Sequence, residues 1–199
     1  MKILAISDVH NDRHFMQEMA QKGAEQNVDL VILAGDIFDE DQFKEGMIGP
    51  FKEKGLEVAV IPGNHEGLAE INAMVDTYKV KNLHGYSLRF GDIGIFGCGY
   101  GDVGAHSLNE EQFFKTLKQS HESIKDCKKK LMVTHVQPND SIISMKIPGW
   151  GSSGVRKAIE EFKPDIHVCG HIHETHGIEE LVGTTKVINV GKTGKIIEF

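Results

Sequence analysis

"DIHVCGHIHETH", residues 165–176, begins as an apolar run from Ile166 to Cys169, reaches a glycine, and then presents two histidines one residue apart. In extended backbone, positions i and i+2 point to the same side, so His171 and His173 can reach into one site together.

Comparable groups recur upstream. "KILAIS" (2–7) runs into "DVH", "DLVILA" (29–34) into "GDIFD", "EVAVIP" (57–62) into "GNHE", and "KLMVT" (130–134) into His135. Each apolar segment delivers Asp, Asn or His at its carboxyl end, the edge where open α/β sheets bind ligands. Parallel neighbours lie about 4.8 Å apart, so such ends can converge on one cluster. Gly35, Gly63 and Gly170 each precede one of these polar residues, which fits tight turns where strand gives way to site.

The collected set is Asp8, His10, Asp36, Asn64, His135, His171 and His173. Mixed carboxylate, amide and imidazole suits Mn²⁺, Fe, Zn²⁺, Co²⁺ or Ni²⁺ better than Mg²⁺ or Ca²⁺, which favour oxygen alone. The set is too large for one open catalytic ion and sufficient for two. Two dications roughly 3.5 Å apart repel, so a carboxylate must bridge them, and Asp36 or Asp8 is the candidate.

Around these blocks the periodicity predicts helices over "RHFMQEMAQKGAEQ", over Asp41 to Lys54 with a break near Gly49-Pro50, near Ala69 to Tyr78, from Asn109 to about Cys127, and over "GVRKAIEEF", capped by Ser152 or Ser153. "YSLRF" and "IGIFGCG" flank Gly91-Asp92 as a hairpin, and the tail offers strands around "GIEEL", "KVINV" and "KIIEF". Strand–helix alternation followed by strands indicates α/β with an appended β portion. Without a repeat or linker, 199 residues read as one domain over 1–199.

Composition narrows the function. A formal charge of -7 argues against a nucleic-acid binder, and the one dense basic run, Lys125 to Lys130, reads as a solvated helix end. Cys98, Cys127 and Cys169 are odd in number and lack CxxC spacing, which points away from a disulfide framework and toward a reducing cytoplasm. Met1 leads directly into a strand-like segment with no signal peptide, and no apolar stretch is long enough for a membrane.

Asp-x-His, Gly-Asp-x-x-Asp, Gly-Asn-His-Glu, a lone His and Gly-His-x-His, in that order from Asp8 to His173, resemble the calcineurin-like metallophosphoesterase superfamily. The segment "GWGSSGVRKAIEEFKPDIHVCGHIHE" is similar to its small prokaryotic branch. The resemblance implies a four-layer αββα sandwich of two mixed β-sheets flanked by helices. It implies one metal held by Asp8, His10, Asp36 and His173, and another by Asp36, Asn64, His135 and His171, with Asp36 bridging. Two divalent ions, Mn first among them, would present a bridging hydroxide to a phosphomonoester or phosphodiester of a small molecule. His65 would then be the acid next to the metals and Asp39 its orienting partner.

The chain departs from the family's protein phosphatases, which carry Arg where Glu40 stands. It also keeps His65 where some small phosphodiesterases carry Cys. The first departure disfavours phosphoproteins, and the second leaves monoesters and diesters open. A non-catalytic scaffold, like the retromer subunit with degraded site residues, is disfavoured by the complete set. A nuclease is disfavoured by the acidic, short chain. His167 reads as a core histidine, and His176 first as an exposed turn histidine, with a substrate contact as the lesser reading because it lies close to the site in sequence. Trp150 reads as a ligand contact or a packing residue, and Lys146 as surface. Oligomeric state is not encoded legibly. Specificity is expected in the loops Gly99 to Leu108 and Pro138 to Ser153.

Overall fold

Alternation along the first strand sets the architecture. In β1 (Lys2–Ile6), Leu4 and Ile6 enter one apolar cluster while Ile3 and Ala5 enter another. In β2 (Leu30–Ala34), Val31 and Leu33 join the first cluster, and Leu30, Ile32 and Ala34 the second. A strand buried on both faces needs a continuous apolar run, which is what "LVILA" supplies. The computed structural model describes residues 1–39, 45–147 and 149–199, with the side chain of Lys146 outside the description.

One sheet has the order β11-β1-β2-β3-β4, formed with β3 (Val58–Ile61), β4 (Lys81–Asn82) and β11 (Lys195–Glu198). β1, β2, β3 and β4 pair in parallel, and β11 closes the edge antiparallel to β1. The other sheet has the order β5-β6-β7-β8-β10-β9, from β5 (Ser87–Phe90), β6 (Ile93–Cys98), β7 (Lys129–Thr134), β8 (Ile166–Cys169), β9 (Glu179–Val182) and β10 (Thr185–Asn189). Here β6, β7, β8 and β10 run parallel, with β5 and β9 as antiparallel edges.

The second cluster joins Ile3, Ile32 and Ile61 of the first sheet to Ile95, Leu131, Val133 and Val168 of the other, so the sheets pack face to face. Each such side chain contributes about 1.5–3 kcal/mol on burial. The first sheet's outer face is covered by α1 (Arg13–Glu25), α2 (Gly49–Glu53) and α3 (Leu68–Tyr78), through Met16, Phe51, Ile71 and Met74. Phe113, Leu117, Val155 and Ile159 of α4 (Glu110–Glu122) and α5 (Ser153–Phe162) cover the second. The molecule is therefore the four-layer αββα sandwich, helices outside and two mixed sheets within.

Two elements differ from the sequence reading. Gly49-Pro50 begins α2 rather than breaking a helix, with Pro50 in the first turn. There its fixed φ suits the helix and its missing N–H would have had no partner. The two-residue β4 has no periodicity to read and forms by pairing with β3. Part of the helix expected from Asp41, and Glu40 itself, lie outside the described residues. Cys98, Cys127 and Cys169 are buried and free. The basic run is tied to surface acids, Lys128 to Asp92 and Lys129 to Asp165 at 2.6 Å each.

Candidate metal centre

The carboxyl ends of β1, β2 and β3 meet those of β7 and β8 at one edge of the sandwich. Five non-glycine residues at these turns have left-handed backbone: Asp8 (φ 55°), His10 (φ 49°), Asn11 (φ 60°), Asp36 (φ 50°) and His171 (φ 71°). That conformation costs of order 1–3 kcal/mol at a non-glycine residue and collects at functional sites. Here it swings side chains off the strand direction into a common space. Gly63 is required by close approach, since a Cβ there would fall 2.0 Å from Asp36 Oδ1.

Donor atoms converge in three groups, each with its atoms within 4.8 Å of one another: Asp8, His173 and His176; His10, Asp36 and His65; Asp36, His135 and His171. Asp36 belongs to two of them. Asn64 joins the third through its Oδ1, 3.1 Å from His135 Nε2. The sequence set is thus brought together, and His65 stands closer to the donors than expected, with Nε2 3.9 Å from Asp36 Oδ2. Its backbone N–H donates to Asp36 Oδ1 at 3.1 Å.

The lone-pair directions fit a cation. His135 Nδ1 donates to the Ala34 carbonyl at 2.9 Å, so its buried Nε2 is the nitrogen turned to the site, where it faces Asp36 Oδ2 at 3.2 Å beside Asn64. Burial alone would lower the His135 pKa, but Asp36 and Asp8 push it up to about 10. Asp36, opposed by its burial, is held below the ordinary carboxylate range by His135. His10 Nε2 and His173 Nε2 face each other at 3.2 Å. Ligand nitrogens at about 2.1 Å around one ion stand roughly this far apart. Burial lowers the His10 pKa, whereas a hydrogen bond to Asp8 raises that of His173. Asp8 is buried yet strongly acidic, held so by His173 and His176, and it accepts the His171 N–H at 3.0 Å. These residues fit divalent metals.

Asp39 is placed differently from the expectation. Its Oδ1 meets His10 Nδ1 at 3.1 Å and its Oδ2 accepts from Asn11 at 3.0 Å, so the imidazole it orients is His10. The bulge of left-handed residues 8, 10 and 11 brings His10 over β2's end, a turn geometry that spacing alone does not disclose.

Glu66 and Asp102 were not assigned from sequence, and His176 was read only as a neighbour of the site. Glu66 is wholly buried and accepts the N–H groups of Asp36 (3.1 Å), Phe38 (2.7 Å) and Gly63 (2.8 Å), clamping the ends of β2 and β3 together. Burial first, then Asp36, push its pKa up to about 7. Asp102 Oδ1 lies 3.2 Å from His171 Nε2. His176 Nε2 lies 3.5 Å from Asp8 Oδ2. Glu66 had a sequence signal in "GNHE"; Asp102, in a loop without a motif, had none. Trp150 stacks on His171 with ring centroids 5.0 Å apart at 22°. It forms one wall of a cavity of about 260 Å³ that also borders His65, Asn64 and Glu174.

The model of the calcineurin-like phosphoesterase family matches residues 1–175. A protein of Methanocaldococcus jannaschii is 28% identical over 206 residues, spanning 95% of this chain and 87% of that one. A solved structure from Thermus thermophilus superposes with a TM-score of 0.77 at 18% identity, over 96% of this chain and 88% of the other. A dimetal phosphatase from Danio rerio superposes with a TM-score of 0.67 at 12% identity, over 98% and 88%. At such identities the two superpositions speak for the fold.

Proposed function

The chain belongs to the calcineurin-like phosphoesterase family, and on that premise we propose that it is a dinuclear metal-dependent hydrolase of a small phosphomonoester or phosphodiester. The membership of Asp36 in two donor groups carries the reading. One ion would be held by Asp8, His10, Asp36 and His173, the other by Asp36, Asn64, His135 and His171. The mixed nitrogen and oxygen donors suit Mn²⁺, Fe, Zn²⁺, Co²⁺ or Ni²⁺, and Mn²⁺ is taken first because the family resemblance implies it. Bound there, two divalent ions would supply a nucleophilic water at neutral pH and neutralise charge developing on the phosphoryl oxygens.

The chain's own residues supply the rest. Asp39 fixes the tautomer of His10 by holding Nδ1, which leaves Nε2 for the site. His135 is fixed the same way by the Ala34 carbonyl. His65 borders the cavity with its imidazole, edge-on to His10 at a centroid distance of 5.0 Å. It is the group to protonate the departing alkoxide oxygen, a role typically worth 10²–10⁴-fold. Trp150 and Ile147 shield one side of the cavity from water. A cavity of about 260 Å³ suits a phosphoryl group and a modest substituent. Together with the acidic balance of the chain, it favours a small molecule over nucleic acid. The described helices include none long and apolar enough to cross a membrane.

The test is hydrolysis of mono- and bis-p-nitrophenyl phosphate by purified protein stripped with chelator and reloaded with Mn²⁺. Activity should vanish on stripping, return on reloading, and fall by roughly 10²–10⁴-fold in His65→Ala. Hydrolysis indifferent to chelation would end the proposal.

A further inference from the structure

The loop from Gly99 to Leu108 leans on the metal centre from outside. A Cβ on Gly101 would fall 2.7 Å from Asn64 Cβ, so the loop packs closely on the Asn64 side chain. The loop is closed by Gly101 N–H to the His106 carbonyl at 3.0 Å and Leu108 N–H to the Gly101 carbonyl at 2.9 Å. Between these closures Asp102 turns inward, with its side chain 10% exposed. One oxygen, Oδ1, lies 3.2 Å from His171 Nε2, within ion-pair distance but short of hydrogen-bond alignment, and both buried atoms are without a hydrogen-bond partner among the described residues, so each is the other's nearest polar complement. The other, Oδ2, accepts the N–H of Gly151 at 2.9 Å. Gly151 follows Trp150, whose ring lies on His171.

We infer that Asp102 is a positioning residue for the metal centre: it holds the His171 imidazole with its Nε2–H outward and its Nδ1 lone pair inward, and ties the Trp150 loop to that ring. The inference rests on the dinuclear reading above. Ligating histidines are ordinarily held in this way, with the far ring nitrogen donating to a carboxylate that fixes orientation and raises basicity. Asp102 stands outside the three donor groups found among the described residues, so it acts through His171 rather than on an ion. The same carboxylate joins two loops from distant parts of the chain over one ligand. The aromatic wall of the cavity and the second ion's site are therefore one assembly.

Trp150 is the chain's only tryptophan, so its emission reports on this assembly directly. The experiment titrates Mn²⁺ into chelator-treated wild type, Asp102→Asn and Asp102→Ala, following Trp150 emission and the heat of binding. In wild type, Mn²⁺ at His171 should quench Trp150. In Asp102→Asn the amide oxygen can still accept from Gly151, so metal-free emission should match wild type while Mn²⁺ affinity at one of the two sites weakens by about 10–100-fold. In Asp102→Ala the same weakening should come with altered metal-free emission, because the loop is released. A merely structural role would move emission and melting temperature and leave affinity untouched. Wild-type affinity at both sites in a folded Asp102→Asn protein overturns the inference alone. A wild type that takes up no Mn²⁺ overturns the dinuclear reading with it.

Discussion

Asp36 concentrates the chemistry of this chain in one side chain: left-handed backbone, burial, and donors of two groups within reach. Asp36→Asn keeps its shape and removes the charge that two cations would share. Hydrolysis should fall by roughly 100-fold or more. Bound Mn²⁺, measured by elemental analysis after gel filtration, should fall with it. Glu66 is the counterpart that acts on backbone. Glu66→Ala would strand the buried N–H groups of Asp36, Phe38 and Gly63, costing on the order of 3 kcal/mol or more, readable as a lowered urea midpoint. The proposed ligand set was legible because each member sits where an apolar run stops. The partner of His10 was not, because Asp39 reaches it through a bulge whose backbone angles are set by packing and not by local propensity.

At the scale of elements, the inner strands β1, β2, β3, β6 and β8 were readable because they are buried on both faces and so are apolar almost throughout. The helices were readable from period and caps. Asn109 caps α4 through Gln112 N–H at 2.9 Å, and Ser152 caps α5 through Val155 N–H at 3.1 Å. The pairing of β10 between β8 and β9 was not readable, since register between distant strands leaves no mark in local periodicity. Ser152 also donates to Glu110 Oε2 at 2.6 Å, the same oxygen that accepts from Gly154 N–H, so this cap fastens α5 to α4. Ser152→Ala should lose about 1 kcal/mol. For a chain of this size that is a fall of roughly 2–4 °C in Tm by calorimetry, with little change in kcat.

For the whole molecule, ligand binding and acidity both act on the folding equilibrium. At a free Mn²⁺ concentration of about 100 times Kd, each occupied site should stabilise the fold by about 2.7 kcal/mol, seen as a Tm rise that a chelator reverses. Acid works through His167, buried against Thr134 Oγ1 at 2.7 Å, its pKa lowered to about 3 by burial. The unfolded chain would protonate this imidazole near 6.5 while the native one resists. Its contribution is therefore complete above about pH 6.5 and is lost as pH falls toward about 3. His167→Gln should flatten the loss of stability across that window in pH-dependent urea melts. A slope as steep as wild type would mean that other groups account for it.

The two sheets make no hydrogen-bonded ladder with each other among the described residues; each has its own strand order. At the site edge they are bridged by polar contacts instead: Asp8 from one sheet to the His171 N–H from the other, and His135 to the Ala34 carbonyl. Cations seated among these contacts would rivet two slabs that otherwise adhere through greasy side chains. Occupancy should then slow amide hydrogen exchange in both slabs at once, including strands far from any donor atom, so that the proposed ions would double as a mechanical fastener.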